Sequence, residues 1–130
     1  VLEIGFGSGY QTAILSRVSD QVFGVERLSL LVEKAREKIW ELKINNIHLR
    51  HGDGMLGWER HSPFDAILVA AAPSFVPKEL LNQLGEGGRL IIPIGINENQ
   101  KLMLYTKTKK EIFEKEIQAV KFVPLLPGIN

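Results

Sequence analysis

The feature that most constrains the fold is a regular alternation of strand-like and helix-like patterns along the 130 residues. Short apolar runs indicate strands, and apolar residues that recur every three or four positions indicate helices. The alternation continues to residue 94 and predicts βαβ units, in which a parallel sheet carries helices on both faces. Two more strand patterns follow without a helix between them, which predicts an antiparallel hairpin at one edge. We therefore expect an α/β fold with a doubly wound, mostly parallel sheet.

The predicted elements have the following bounds. Strands are expected at residues 1–4, 21–26, 47–51, 64–71, 89–94, 101–107 and 117–125. Helices are expected at residues 10–18, 28–44 and 76–84.

Several local features refine this prediction. In the first helix, Ala13, Ile14 and Val18 are expected to form a buried stripe. In the second, the stripe is formed by Leu28, Leu31, Val32, Ala35, Ile39 and Leu42.

The ends of the elements are predicted from turn chemistry. Asn45 and Asn46 are expected to end the second helix, because Asn tolerates left-handed backbone angles. Pro77 is acceptable in the first turn of the third helix. Residues 85–88 are expected to form a turn before the fifth strand, and the charged residues 108–116 are expected to join the last two strands.

Composition excludes several classes of protein. Apolar residues make up 45% and charged residues 24% of the chain, which are the proportions of a folded globular domain. Sixteen basic and fifteen acidic residues leave a net charge of +1, which gives no indication of nucleic-acid or membrane-surface binding. The absence of cysteine excludes disulfides, thiolate metal sites and a cysteine nucleophile. His48, His51 and His61 are too scattered to indicate a metal site.

The chain begins inside an element. Val1 is not a methionine, and it already lies in an apolar, strand-like run. We therefore expect residues 1–130 to form a single domain from which an N-terminal part is missing.

A glycine-rich loop follows the first strand. Gly5, Gly7 and Gly9 let the backbone turn sharply and approach a ligand closely, at the strand end where open parallel sheets bind ligands. The spacing G-x-G-x-G differs from the G-x-G-x-x-G of dinucleotide-binding loops, and the P-loop pattern is absent. With Glu3 ahead of it, the loop suits an adenosine that carries an amino-acid tail and no phosphate. The alternative is a tight strand-to-helix turn without a ligand.

Two further strand ends support a nucleoside site. Glu26 closes the second strand, where a carboxylate can accept hydrogen bonds from both hydroxyls of a ribose. After the third strand, Asp53 is placed to accept from an adenine amino group and the Gly54 N–H to donate to a ring nitrogen. Taken singly, Glu26 is equally explained as a solvated acid and residues 53–54 as an ordinary turn. Their order, each at the carboxyl end of a strand, favours the ligand.

These motifs carry a family resemblance. The segments E-I-G-F-G-S-G, V-F-G-V-E, H-G-D-G and L-G-E-G-G-R-L-I-I-P-I-G resemble the ordered motifs of class I S-adenosylmethionine-dependent methyltransferases, which have a Rossmann-like fold. Two others, P-F-D-A-I-L-V-A-A-A-P-S-F-V-P and F-V-P-L, are more specific and resemble the protein-L-isoaspartate O-methyltransferase family. The resemblance covers essentially the whole chain.

The resemblance implies a function and a set of site residues. The implied reaction moves a methyl group from S-adenosyl-L-methionine to the carboxylate of L-isoaspartyl residues in damaged proteins, leaving S-adenosyl-L-homocysteine and initiating repair. It also implies a monomeric, cytoplasmic protein. The implied cofactor-binding residues are Glu3, Gly5, Phe6, Gly7, Gly9, Glu26, Arg27, Asp53 and Gly54. The implied substrate-binding residues are Ala70, Ala71, Ala72, Pro73, Val123, Pro124 and Leu125.

One departure from the family pattern affects the expected activity. In the family, a segment of the type T-I-S-x-P lies upstream of the glycine loop, and its serine is the residue usually assigned as catalytic. Nothing in this sequence corresponds to it, so no catalytic residue is predicted and the fragment alone is expected to be inactive. Two alternatives stay open: another class I methyltransferase that acts on a small molecule or RNA, and a cofactor-binding module without activity.

Overall fold

The computed structural model describes all of residues 1–130 and contains seven strands, three α-helices and two short 3₁₀ turns. The strands are β1 (Leu2–Ile4), β2 (Val22–Glu26), β3 (Ile47–His51), β4 (Phe64–Val69), β5 (Leu84–Ile96), β6 (Asn99–Lys107) and β7 (Ile112–Val120). The helices are α1 (Tyr10–Val18), α2 (Ser29–Glu41) and α3 (Lys78–Asn82). None of these helices is long and apolar enough to cross a membrane.

All seven strands form one sheet in the order β3-β2-β1-β4-β5-β6-β7. The first five strands in this order pair in parallel, whereas β5, β6 and β7 pair antiparallel. The predicted fold class, a doubly wound and mostly parallel sheet with an antiparallel hairpin at its end, is confirmed. The chain order reverses beside β1, which has β2 on one side and β4 on the other, and such a reversal is where open α/β sheets bind ligands.

The alternation of side chains along β1 separates the two faces of the sheet. Leu2 and Ile4 are fully buried in the main core, which also contains Leu80 of α3. Glu3, between them, points to the opposite face and bonds the Thr12 hydroxyl of α1. On this second face, α2 packs through a smaller apolar cluster formed by Phe6, Val32 and Ala35, with Leu49 beside it.

The predicted buried stripe of α1 is wrong. Ile14 is 49% exposed and Val18 is 77% exposed, whereas Thr12 is fully buried. The physical reason is the buried carboxylate of Glu3, which needs hydrogen-bond donors, so the helix turns its polar face to the sheet. Burial of this acid overrides the apolar periodicity.

The second helix ends earlier than predicted. Lys43, rather than an asparagine, adopts a positive φ of 57°. The Lys43 N–H donates to the Trp40 carbonyl and the Ile44 N–H donates to the Ile39 carbonyl, which is the bonding pattern of a Schellman motif. As a result Leu42, expected in the buried stripe, is 55% exposed.

The later elements also differ in their bounds. β4 stops at Val69, and α3 is only five residues long with Pro77 before it rather than in its first turn. β5 begins at Leu84, which pairs with Phe64, the first residue of β4. The strand therefore includes residues 85–88, where a turn was predicted, and the register shifts before the next pair, Ala66 with Arg89.

The last strand is displaced by five residues. β7 covers Ile112–Val120 instead of residues 117–125, since the hairpin turn closes at once through the Thr108 N–H and the Glu111 carbonyl (2.8 Å). β7 is an edge strand exposed along eight of its nine residues, so its charged side chains are compatible with a strand.

Candidate functional site

The carboxyl ends of four parallel strands meet at one edge of the sheet. Hydrogen bonds beyond the strand ends hold their loops side by side: Gly5 N–H donates to the Val25 carbonyl (2.8 Å), and Ala70 N–H donates to the Ile4 carbonyl (2.9 Å). Gly52 N–H donates to the Glu26 carbonyl (3.0 Å). This pairing brings together the ends of β1 to β4, on which all the predicted site residues except Val123, Pro124 and Leu125 lie.

A cavity of about 420 Å³ opens at this edge. Its volume lies within the roughly 300–1,000 Å³ that small-molecule sites occupy. Ten of the sixteen predicted site residues line it: Gly5, Gly7, Glu26, Arg27, Gly54, Ala70, Ala71, Val123, Pro124 and Leu125. The lining also includes five apolar residues that sequence analysis did not select, namely Ile4, Val25, Leu28, Leu31 and Leu126.

Glu26 is the acidic group in the wall of the cavity. Its side chain is only 7% exposed, and its two oxygens each accept one backbone N–H, from Gly7 (3.1 Å) and from Leu28 (3.0 Å). A carboxylate has about four lone-pair positions, so both oxygens retain acceptor capacity beyond these two bonds. Glu26 therefore fixes the glycine loop to the end of β2 and still presents a hydrogen-bond acceptor to a ligand.

Two other groups indicate room and bonding capacity for a ligand. Gly7 has a φ of 57°, and a Cβ built on it would meet no atom within 4 Å, so the loop backbone faces open space. The Nε atom of Arg27 is buried without a hydrogen-bond partner, which is uncommon in folded proteins. Together with Glu26, these features fit a polar ligand such as a nucleoside.

Glu3 does not line the cavity. It is 1% exposed on the α1 side of the sheet, where it accepts hydrogen bonds from Thr12 Oγ1 and from Gln11 Nε2 (2.9 Å for the latter). Burial raises the pKa of this carboxyl above its ordinary value of 4.5, and the two hydrogen bonds oppose that rise. In this structure Glu3 anchors the start of α1, and a direct contact with a cofactor stays a prediction.

Three other predicted residues, like Glu3, do not line the cavity. Phe6 is 5% exposed and packs in the smaller core cluster. Gly9 precedes α1 with a φ of 88°. The Asp53 carboxylate accepts the Met55 N–H (2.9 Å) and so caps the 3₁₀ turn that begins at Gly54. Cofactor contacts of these residues stay predictions as well.

A segment formed by residues 122–125, here called the dividing segment, separates this cavity from a second one of about 380 Å³. Ala72 bonds it on both sides: the Ala72 N–H donates to the Val123 carbonyl (2.7 Å), and the Leu125 N–H donates to the Ala72 carbonyl (2.9 Å). Ala72 and Pro73, predicted to bind substrate, line the second cavity together with Pro124 and Leu125. The predicted substrate residues thus lie around the boundary between the two cavities.

Sequence analysis missed two buried glutamines, of which Gln100 lines the second cavity and Gln83 lines neither cavity. Gln83 (5% exposed) accepts the Trp58 N–H and donates to the Leu56 carbonyl, both at 2.9 Å. Gln100 (4% exposed) forms two corresponding bonds with Phe122. No pattern in the sequence distinguishes these glutamines from exposed ones, because their partners are backbone groups distant along the chain.

The three histidines make separate structural contacts. The His48 and His61 rings stack on Phe23, with centroid distances of 4.9 and 4.5 Å. His51 Nε2 lies 2.8 Å from the Arg27 carbonyl oxygen. No group of three His, Asp or Glu side chains in the chain is arranged to hold a metal ion.

Comparison with known proteins identifies the family. The model of the protein-L-isoaspartate(D-aspartate) O-methyltransferase family matches residues 1–129. The chain belongs to this family. A protein-L-isoaspartate O-methyltransferase of Hahella chejuensis is 52% identical over 129 residues, which are 99% of this chain and 61% of that protein. That of Colwellia psychrerythraea is 49% identical over 98% of this chain and 59% of its own length. The chain thus spans about 60% of the length of these relatives.

Solved structures agree with this assignment. A protein-L-isoaspartate O-methyltransferase superposes with a TM-score of 0.87 at 34% identity, over 95% of this chain and 40% of the other. A Plasmodium falciparum protein, described as a β-aspartate methyltransferase and solved in complex with S-adenosyl-L-homocysteine, gives 0.81 at 35% identity, over 96% of this chain and 64% of the other. The Rossmann-like methyltransferase fold predicted for this family is therefore confirmed.

Proposed function

We propose that this protein transfers a methyl group from S-adenosyl-L-methionine to the carboxylate of L-isoaspartyl residues in damaged proteins, which initiates their repair. The observation that carries the proposal is the 420 Å³ cavity at the switch point of the sheet, lined by Gly5, Gly7, Glu26 and Gly54. Family membership over residues 1–129 supports the same reaction. We further propose that residues 1–130 form a single cofactor-binding domain of this enzyme.

The residues of the cavity divide the cofactor among them in this proposal. Gly5 and Gly7 would bind the methionine part, because their backbone is accessible and Gly7 has open space in front of it. Glu26 would accept the ribose hydroxyls with its remaining lone pairs, and Arg27 would contribute its unpartnered Nε–H. Gly54, which lines the cavity, would contact the adenine, with Asp53 beside it.

The reaction requires little acid–base chemistry from the chain. When bound, S-adenosyl-L-methionine supplies a methyl group attached to a positively charged sulfur, and S-adenosyl-L-homocysteine is the product. The acceptor is a carboxylate with a pKa of about 4, so it is already ionised at neutral pH and needs no general base. Ala70, Ala71 and Val123 line the cavity with small or apolar groups, and their proposed role is to orient the acceptor and exclude water.

The decisive experiment is a methyl-transfer assay on the full-length protein that the gene encodes. Labelled S-adenosyl-L-methionine is offered with two peptides that differ only in carrying isoaspartate or normal aspartate. We expect label in the isoaspartyl peptide alone, as a base-labile ester. Cofactor binding without label in either peptide would contradict the proposal and favour a methyltransferase for a small molecule or RNA, or a binding module. A monomeric state and a cytoplasmic location are also proposed, from the family resemblance alone.

A further inference from the structure

The dividing segment (residues 122–125) lies where a methyl donor and its acceptor would meet. It contributes Val123, Pro124 and Leu125 to the wall of the first cavity and Phe122, Pro124 and Leu125 to the wall of the second. Its position therefore determines the shape of both cavities at once. Any residue that fixes this segment acts on the site even without touching a ligand.

Regular strand pairing stops before this segment. In the β6–β7 ladder the last paired residues are Gln100 and Val120, so the backbone of residues 122–125 has no partner in β6. On the other side, Ala72, three residues after the end of β4, bonds Val123 and Leu125. Apart from the packing of Leu125 against the main core, Ala72 would then be the sole hydrogen-bond partner of this backbone if no second attachment existed.

Gln100 supplies the second attachment through its side chain. Its Oε1 accepts the Phe122 N–H (2.7 Å), and its Nε2 donates to the Phe122 carbonyl (3.0 Å). The side-chain amide thus satisfies both backbone groups of one residue, as a neighbouring strand does in an antiparallel pair. Gln100 is 4% exposed, so water does not substitute for either bond without opening the structure.

We infer that Gln100 is a positioning residue for methyl transfer: it holds Phe122 so that residues 123–125 keep their place beside the point at which the acceptor carboxylate reaches the methyl group. The inference rests on the proposed function for the identity of the two ligands. An amide side chain has a donor and an acceptor at this spacing, whereas an apolar side chain has neither and an ionised carboxylate has only acceptors, so neither of these satisfies both groups of Phe122. Glutamine is therefore required by the bonding pattern as well as by size.

The charged groups around Gln100 are paired elsewhere and exposed. Lys121, which shares the lining of the second cavity with Gln100, forms an ion pair with Glu98 (3.0 Å), with side chains 72% and 78% exposed. Lys101, the next residue in β6, pairs with Glu116 of β7 (3.4 Å). No ion pair or hydrogen bond joins these groups to the Gln100 amide, so its contacts with Phe122 are the interactions that a substitution removes.

Two substitutions of graded severity test the inference. Gln100→Met keeps the length of the side chain and removes both bonds, whereas Gln100→Glu keeps the acceptor for the Phe122 N–H and loses the donor to its carbonyl. Gln83→Met is the matched control, because Gln83 is equally buried and also bonds two backbone groups, but those of residues 56 and 58. All variants are made in the full-length protein that the gene encodes, and their stability is measured by urea unfolding.

The kinetic readout is the KM for an isoaspartyl peptide at saturating cofactor. We expect Gln100→Met to raise it by about tenfold or more, which corresponds to roughly one lost hydrogen bond, and Gln100→Glu to give an intermediate value. Gln83→Met is expected to lose a comparable amount of stability with a peptide KM within about twofold of the unsubstituted protein. An unchanged KM in Gln100→Met, or equal increases in both Met variants, would overturn the inference.

A second readout separates this inference from the proposed function. If the unsubstituted protein labels neither peptide, the proposed function fails, and amide hydrogen exchange then tests the role of Gln100 directly. Hydrogen bonds of the Leu125 and Ala72 amides pair the dividing segment with the loop after β4. These amides are expected to exchange faster in Gln100→Met and to stay protected in Gln83→Met. Unchanged protection in Gln100→Met would refute the positioning role regardless of the reaction catalysed.

Discussion

Replacing Glu26 by glutamine is the sharpest test of the proposed cofactor site. The carboxylate lines the cavity and at the same time accepts the N–H groups of Gly7 (3.1 Å) and Leu28 (3.0 Å). Glu26→Gln preserves the size of the side chain but exchanges one acceptor oxygen for an NH₂ group. That group must face one of the two backbone donors, so one internal bond is lost and the acceptor capacity toward the cavity is halved.

The expected magnitude follows from the bonds that remain. If the ribose hydroxyls donate to both oxygens, the variant loses one hydrogen bond to a charged acceptor, worth about 1.5–3 kcal/mol. This corresponds to a loss of about 10- to 150-fold in affinity for the nucleoside ligand. In one orientation of the new amide, the Gly7 N–H also loses its acceptor, which displaces the glycine loop. The loss of affinity is then expected at the upper end of that range.

The assay is calorimetric titration of S-adenosyl-L-homocysteine into the full-length protein that the gene encodes. Glu33→Gln is the control, because Glu33 lies in α2 and is exposed to solvent, and the same change of charge there is expected to leave the affinity unchanged. Urea unfolding establishes that both variants are folded. Unchanged affinity in folded Glu26→Gln would refute the assignment of the ribose to this carboxylate and with it the proposed orientation of the cofactor.

Three further predictions concern stability. Burial raises the pKa of Glu3 above 4.5, so its ionised form is disfavoured in the folded state and the free energy of unfolding is expected to decline as the pH rises through that raised pKa. In Glu3→Gln, the free energies of unfolding measured in urea at about pH 5 and about pH 8 should differ less than in the unsubstituted protein. Parallel pH dependence in both proteins would contradict this. Gly54→Ala would push its Cβ into a methyl group of fully buried Ile4 and is expected to cost about 1–3 kcal/mol, against less than about 0.5–1 kcal/mol for Gly52→Ala, whose nearest neighbour is a flexible arginine side chain. Equal thermal shifts would disprove the steric argument. Asn46→Ala removes an amide that donates to the carbonyls of Ser16 in the last turn of α1 and of Ser19 and Asp20 after it, and should lose about 1–2 kcal/mol in chemical denaturation, whereas exposed Asn45→Ala should lose almost nothing.

The parts of the fold that were predictable are those in which local pattern and global topology agree. β3 and α1 have the predicted bounds to the residue, because each is flanked by glycine or by polar breaks. The parallel orientation of β1 to β5 was predicted from the alternation with helices, although only two 3₁₀ turns connect β3 to β4, and the antiparallel end was predicted from the missing helix after β5. These inferences use only periodicity and connection rules, which a single sequence contains.

The errors arise where a distant partner decides. Nothing near Thr12 indicates that α1 turns its polar side inward; the cause is Glu3, nine positions away, whose buried carboxylate needs donors. Similarly, Asn46 was predicted to end α2 by its backbone conformation, yet its side chain instead binds the carbonyls of Ser16, Ser19 and Asp20. A buried polar group reorganises the elements around it, and the sequence does not state which groups are buried.

The same principle explains why the secondary structure of residues 122–125 was predicted wrongly, although Val123, Pro124 and Leu125 were selected as site residues. The glycine loop and Glu26 were found because they occupy fixed places at strand ends, and both line the cavity. Residues 122–125 were predicted as the end of a strand, since their apolar character suits strand pairing. In the structure their partners are instead Ala72 and the side chain of Gln100, so the segment leaves the sheet edge and becomes a wall between two cavities. In the observed register Val120 already pairs with Gln100, the second residue of β6, so residues 122–125 lie beyond the part of β6 that could pair with them. The two backbone bonds of Ala72 and the two side-chain bonds of Gln100 therefore hold this part of the chain where it lines both cavities.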